Sequence, residues 1–182
     1  DLVGNEFWDW IKNYIEAKHE FYDYKFPICP YAKSARLEGI FDIKVFSSGN
    51  VKKFINDNII GLTKDTKYTM RALVMPPRTQ WNFGVKRLIN KLNNKLISQG
   101  YYIQFGTAKM TNSKYPGFFN KGPYFVLIIN KIDRVLDGHE QLLKTDYYKD
   151  WPKEHYDALV VRRQKLINKH KDGNKKRCPF HF

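Results

Sequence analysis

The sequence predicts one α+β (or α/β) domain, a sandwich of a roughly four-stranded sheet with flanking helices. Three observations lead there. The chain has 182 residues, 42% hydrophobic and 16% aromatic, enough to bury a core of its own. Its apolar positions alternate between a period of two and a spacing of three to four. Turn residues punctuate the periodic segments, and neither an internal repeat nor a linker divides them. The globular part is expected over 1–168, with 169–182 a basic, flexible tail.

Taken in order, Asn5 to Ala17 reads as a helix. Phe7, Trp8, Ile11, Tyr14 and Ile15 form its apolar face, and Asn5 is the candidate N-cap. A Cys-Pro loop follows, with Pro30 as a first helical residue and Cys29 at the N-cap. Gly39 to Phe46 is a strand, with Phe41, Ile43 and Val45 alternating with Asp42 and Lys44. Ser48 or Asn50 then caps a short helix through Asn58. A second strand spans Lys67 to Met75, ended by Pro76-Pro77.

The strongest helix runs from Gln80 to Gln99. Val85, Leu88, Ile89, Leu92 and Leu96 make its buried stripe, and Gly100 is its C-terminal stop. Tyr101 to Met110 and Gly122 to Ile132 are strands joined by a polar loop. The second is almost wholly apolar and therefore central. Two helices close the domain, Asp133 to Leu143 and Pro152 to Asn168, with Pro152 at a first helical position.

Charge is the loudest compositional signal. Lys plus Arg number 32 against 18 Asp plus Glu, a net charge of +14. From Thr66 to Ile132 there is no carboxylate, while residues 1–24 hold six acids and two bases. Abundant Lys, Asn and Ile suggest A/T-rich codons, but such a drift does not empty 67 consecutive positions of acids. A polyanionic partner accounts for the pattern, as does a solvated basic face. The longest apolar run, Phe125 to Ile129, is far below the roughly 20 residues of a membrane span. The opening DLVGNEFWDW lacks a basic leader, and two cysteines fit a cytoplasmic setting.

Four places carry candidate chemistry. Cys29, at a helix start with Lys33 and Arg36 downstream, fits a thiolate stabilised by backbone N–H groups. It also fits a small buried residue in a tight turn. Arg78 and Thr79, between a strand and a helix, could hold an anion, or Thr79 could simply cap the helix. Lys86, Arg87, Lys91 and Lys95 extend that charge along the helix. In the loop Thr107 to Tyr124, Lys114, Tyr115, Phe118 and Phe119 suit single-stranded nucleic acid or a substrate lid. Cys178 and His181 are three apart in the tail, too few for a metal site, and no metal or cofactor is assigned.

Cys29-Pro30-Tyr31-Ala32-Lys33, Gln104-Phe105-Gly106-Thr107 and Gly122-Pro123-Tyr124 together resemble a family of uncharacterised bacterial proteins of similar length. Its members carry an early Cys-Pro-Phe-Ala-Lys motif, a Phe-x-Gly-Thr type segment and a Ser-Pro-Tyr segment near a strand. Here Tyr31 replaces the Phe, and the basic tail with Cys178 is extra. The resemblance brings no activity with it. It implies one cluster containing Cys29, Lys33, Gln104 and Thr107.

Two functions of different class follow. The first is binding of a polyanion, above all nucleic acid, through the basic helix and the Lys/aromatic loop. The second is a small-molecule enzyme using Cys29 as an activated thiol, with an anionic substrate held by Arg78 or Lys33. A protein-binding role for the acidic, Trp-bearing first helix is a third.

Overall fold

The N-terminal helix buries Phe7, Ile11 and Ile15, spaced four apart, against one face of a sheet. A computed structural model of the chain describes residues 2–76, 83–105 and 124–175, the side chains at 83, 86 and 169–175 excepted. Helix α1 (Leu2–Trp10) begins before Asn5, so that residue lies inside the helix rather than capping it. At Ile11–Ile15 it widens into a π-helical turn, closed by the Glu16 N–H on the Ile11 carbonyl at 2.9 Å. Short helix α2 (Ala32–Leu37) follows the Cys-Pro loop.

Strands β1 (Phe41–Val45), β2 (Met70–Met75), β3 (Tyr101–Phe105) and β4 (Phe125–Lys131) form a mixed sheet in the order β1-β2-β4-β3. β1 and β2 are parallel, joined by helix α3 (Val51–Thr63); the other pairs are antiparallel. β4 is central, as its apolar run predicts. Helix α4 (Phe83–Leu96) precedes β3, and α5 (Ile132–Leu143) follows β4 directly. The described residues end with α6 (Lys153–Tyr156), a π-helical turn at Asp157–Val161, and α7 (Arg162–Lys175). This last run is helical seven residues past the expected boundary at Asn168. Pro152 is its N-cap rather than its first residue.

Strand alternation sorts the core into two layers. Leu73, Met75, Ile103, Leu127 and Ile129 meet Ile55, Ile59, Val85 and Ile89 of α3 and α4. On the other face Phe41, Val74, Val126 and Ile128 meet α1 and α2. The fold is therefore a helix–sheet–helix α+β sandwich. Asn50 caps α3, accepting from the Lys53 N–H at 3.1 Å, and the helix runs on to Thr63 because Ile59 and Leu62 are still buried. Gly100 takes the left-handed conformation, φ 80°, that stops the helical run before β3.

Two polar contacts tie helices to the sheet. Arg71, buried in β2, donates to Asp42 at 2.8 Å and to the Asn58 carbonyl at 2.8 Å. Asn93 of α4, also buried, donates to the Ile103 carbonyl at 3.0 Å and accepts from the Ile103 N–H at 2.7 Å.

Candidate functional site

On the sheet face away from α3 and α4, pleat and register bring five side chains together. Met70 pairs with Asn130, Asn130 with Tyr102, and Ile128 with Gln104. Asn130 and Gln104 thus stand as polar residues on an otherwise apolar surface. The Cys29–Tyr31 loop and α2 wall this floor on one side. Helix α5, the turn around Tyr148 and the run from Leu159 to Arg163 wall it on the other.

The cavity has two adjoining lobes that share Cys29, Gln104, Asn130, Tyr148 and Arg163 as lining. The outer lobe, about 280 Å³, reaches the exposed residues Ser34, Glu38, Arg134 and Asp137. The inner lobe, about 150 Å³, is mostly apolar, with Ile28, Phe41, Ile128, Leu159 and Val160 in its wall.

Arg163 is the unusual member. It is only 7% exposed, and its Nε has no hydrogen-bond partner. No carboxylate among the described residues pairs with it. A guanidinium stays protonated in proteins, so this is a buried charge without a counter-charge. Burial pushes its pKa down, opposed by the neighbouring hydroxyls of Tyr148, Tyr102 and Tyr156. Asn130, 6% exposed, and Gln104 also make no side-chain hydrogen bond among the described residues. Buried polar groups are nearly always satisfied, so the unpartnered Arg163 Nε, in a cavity also lined by the Asn130 and half-buried Gln104 amides, points to a ligand that completes it.

Burial favours the neutral forms of Tyr148, His139 and Cys29. Burial pushes the Tyr148 hydroxyl up to about 12, against the pull of Arg163. His139 lies 3.1 Å from that hydroxyl through Nδ1, and burial, helped by Arg163, lowers its pKa. The Cys29 thiol is raised by burial, which outweighs the lowering by the Tyr31 and Ala32 backbone N–H groups. The expected N-cap placement does not hold: α2 starts at Ala32 with Tyr31 as its cap. The N–H groups do reach the sulfur, but desolvation wins. Arg36 adds no charge there, being held by Glu16 through two 2.7 Å bonds.

Of the sequence-derived candidates, the structure brings Cys29 and Gln104 into one cavity. Lys33 is exposed and does not line it. Arg87, Lys91 and Lys95 project from α4 as an exposed row, with no ion pair among the described residues. Arg78, Thr79, Thr107, Lys114, Tyr115, Phe118, Phe119, Cys178 and His181 lie outside the described residues, as does the Lys86 side chain. Among the described residues no group of three His, Cys, Asp or Glu side chains could hold a metal ion. No helix among them is long and apolar enough to cross a membrane.

Sequence reasoning missed Arg163, Asn130, His139 and Tyr148. A signal for Arg163 was present: Val160, Arg163 and Ile167, all buried, follow helical spacing, which sets a cation on an apolar stripe. Comparison with known proteins finds no matching family model, no similar curated protein and no similar solved structure. The chemistry of the cavity is then the guide to function.

Proposed function

We propose that this protein binds a small anionic molecule in the cavity between its sheet and its C-terminal helices. The observation that carries this is the buried Arg163 guanidinium, with neither counter-charge nor hydrogen bond among the described residues, lining the same cavity as the unpaired amides of Asn130 and Gln104. An arginine fork is suited to a two-oxygen anion, and in a desolvated site such a pair is strong. This keeps the small-molecule half of the sequence-derived expectations and moves the anion's partner from Arg78 or Lys33 to Arg163. Cys29 lines the same space as a protonated thiol, a wall group in this reading rather than a nucleophile.

The test is calorimetric titration with small anions, carboxylates and phosphates, on the native chain and on Arg163→Met. Saturable binding that the substitution abolishes supports the reading. Binding that survives Arg163→Met, or no binding at millimolar anion, refutes it.

A second reading rests on a separate surface. The row Arg87, Lys91 and Lys95 on α4, exposed and engaged in no ion pair among the described residues, supports contact with a polyanion such as nucleic acid. Its signature is affinity for single-stranded DNA that falls steeply with salt and is indifferent to Arg163→Met. A flat salt response excludes it.

A further inference from the structure

Resting on the anion reading, we infer that the ligand is a monocarboxylate bearing an apolar group about the size of one ring, carboxylate on Arg163 and ring in the inner lobe. The charge count sets the first half. Among the described residues lining the inner lobe, Arg163 is the lone cation and there is no carboxylate. One negative charge neutralises it. A phosphate dianion would carry one charge more than the inner lobe's lining compensates, and leaving a partly buried charge unpaired is costly.

Donor geometry agrees. A guanidinium matches the two oxygens of a carboxylate, and the Asn130 and Gln104 amides can meet its outward lone pairs. These three residues belong to both lobes, so the carboxylate sits at their junction.

The second half comes from the wall. Beyond Arg163 the inner lobe presents Ile28, Phe41, Ile128, Leu159 and Val160, a surface that offers an anion nothing and an apolar group a dry seat. Its volume of about 150 Å³ suits one benzene-sized group. The approach to Arg163 is built by the π-helical turn at Asp157–Val161. That turn carries Leu159 and Val160 into the lobe just before Arg163, so one local irregularity sets both the apolar seat and the cation.

The test is a calorimetric series on the full chain: acetate, benzoate, cyclohexanecarboxylate, benzyl alcohol and phenyl phosphate. Benzoate and cyclohexanecarboxylate are expected to bind about tenfold or more tighter than acetate, through ring burial. Benzoate is expected to lose roughly thirtyfold or more in Arg163→Met, down to the level of benzyl alcohol. Val160→Phe, which fills the inner lobe, should weaken benzoate and leave acetate unchanged. If that variant fails to fold, the ligand series on the native chain decides alone. Acetate matching benzoate, or phenyl phosphate exceeding it, overturns this inference and leaves the anion reading standing. Failure of every anion overturns both.

Discussion

Tyr31 and Gly138 are fitted ring to backbone. The Tyr31 hydroxyl donates to the Gly138 carbonyl at 2.7 Å, and a Cβ at position 138 would come within 2.9 Å of the ring. The loop that carries Cys29 is thereby pressed onto α5, and the contact forms one wall of the cavity. Glycine is needed here for close approach, not for its dihedral freedom.

The first prediction concerns that contact. Gly138→Ala should destabilise the fold by about 1–3 kcal/mol through steric conflict with the ring. Tyr31→Phe should cost about 1 kcal/mol for the lost hydrogen bond. In a Tyr31→Ala background the same Gly138→Ala change should instead stabilise, by about 0.5–1 kcal/mol of helix propensity. Urea midpoints measure the cycle; additive effects would refute the contact.

Arg163 should cost the ligand-free protein stability. Replacing an unpaired buried charge with an apolar side chain of similar length removes a desolvation penalty. Arg163→Met should therefore raise stability by about 1–3 kcal/mol in ligand-free buffer while removing anion binding. Thermal melts with and without benzoate separate the two effects. A lower melting temperature for the ligand-free variant would falsify the unpaired-charge account.

His155 sets an acid limb. It is buried, and burial lowers its pKa from 6.5 to about 4. The folded state therefore holds it neutral while the unfolded chain takes up a proton. Its contribution is intact above pH 6.5 and is lost progressively as pH falls toward 4. The gap corresponds to about 3 kcal/mol. His155→Gln should flatten the fall in stability across that window. His139, shifted in the same direction, should contribute a slope of the same sign. An unchanged slope in denaturation midpoints would show that His155 does not hold its proton back.

Cys29 should be a slow nucleophile. With its pKa raised by burial, iodoacetamide should modify it at least about tenfold slower in the folded protein than in urea at pH 8, in a Cys178→Ser background. Saturating benzoate should slow it further. Modification faster than in urea would restore an activated thiol.

The sheet and most helices could be read from the sequence because they rest on local periodicity. Val85, Ile89 and Leu96 repeat at helical spacing, and Phe41, Ile43 and Val45 alternate, so neighbours in sequence decide the element. The ends were harder. α3 continues past Asn58 only because Ile59 and Leu62 find a core that the local pattern does not reveal. The cavity was least legible. Gln104 and Asn130 come to one face from the adjacent strands β3 and β4, and Arg163 lines the same cavity from 33 residues beyond Asn130. The thiol shows the same limit: its local sequence speaks for activation, while packing by distant segments reverses the sign.

The paired bonds between Asn93 and Ile103 have a consequence for solubility. An edge strand with open N–H and C=O groups is a template for another molecule's strand. At β3 a side-chain amide answers both groups of Ile103, so the template is interrupted at its middle residue. Asn93→Leu would reopen it, and the variant should form intermolecular β-structure on mild heating where the native chain stays monodisperse. A single amide on α4 thereby acts as a gatekeeper against fibre growth, at the edge farthest from β1.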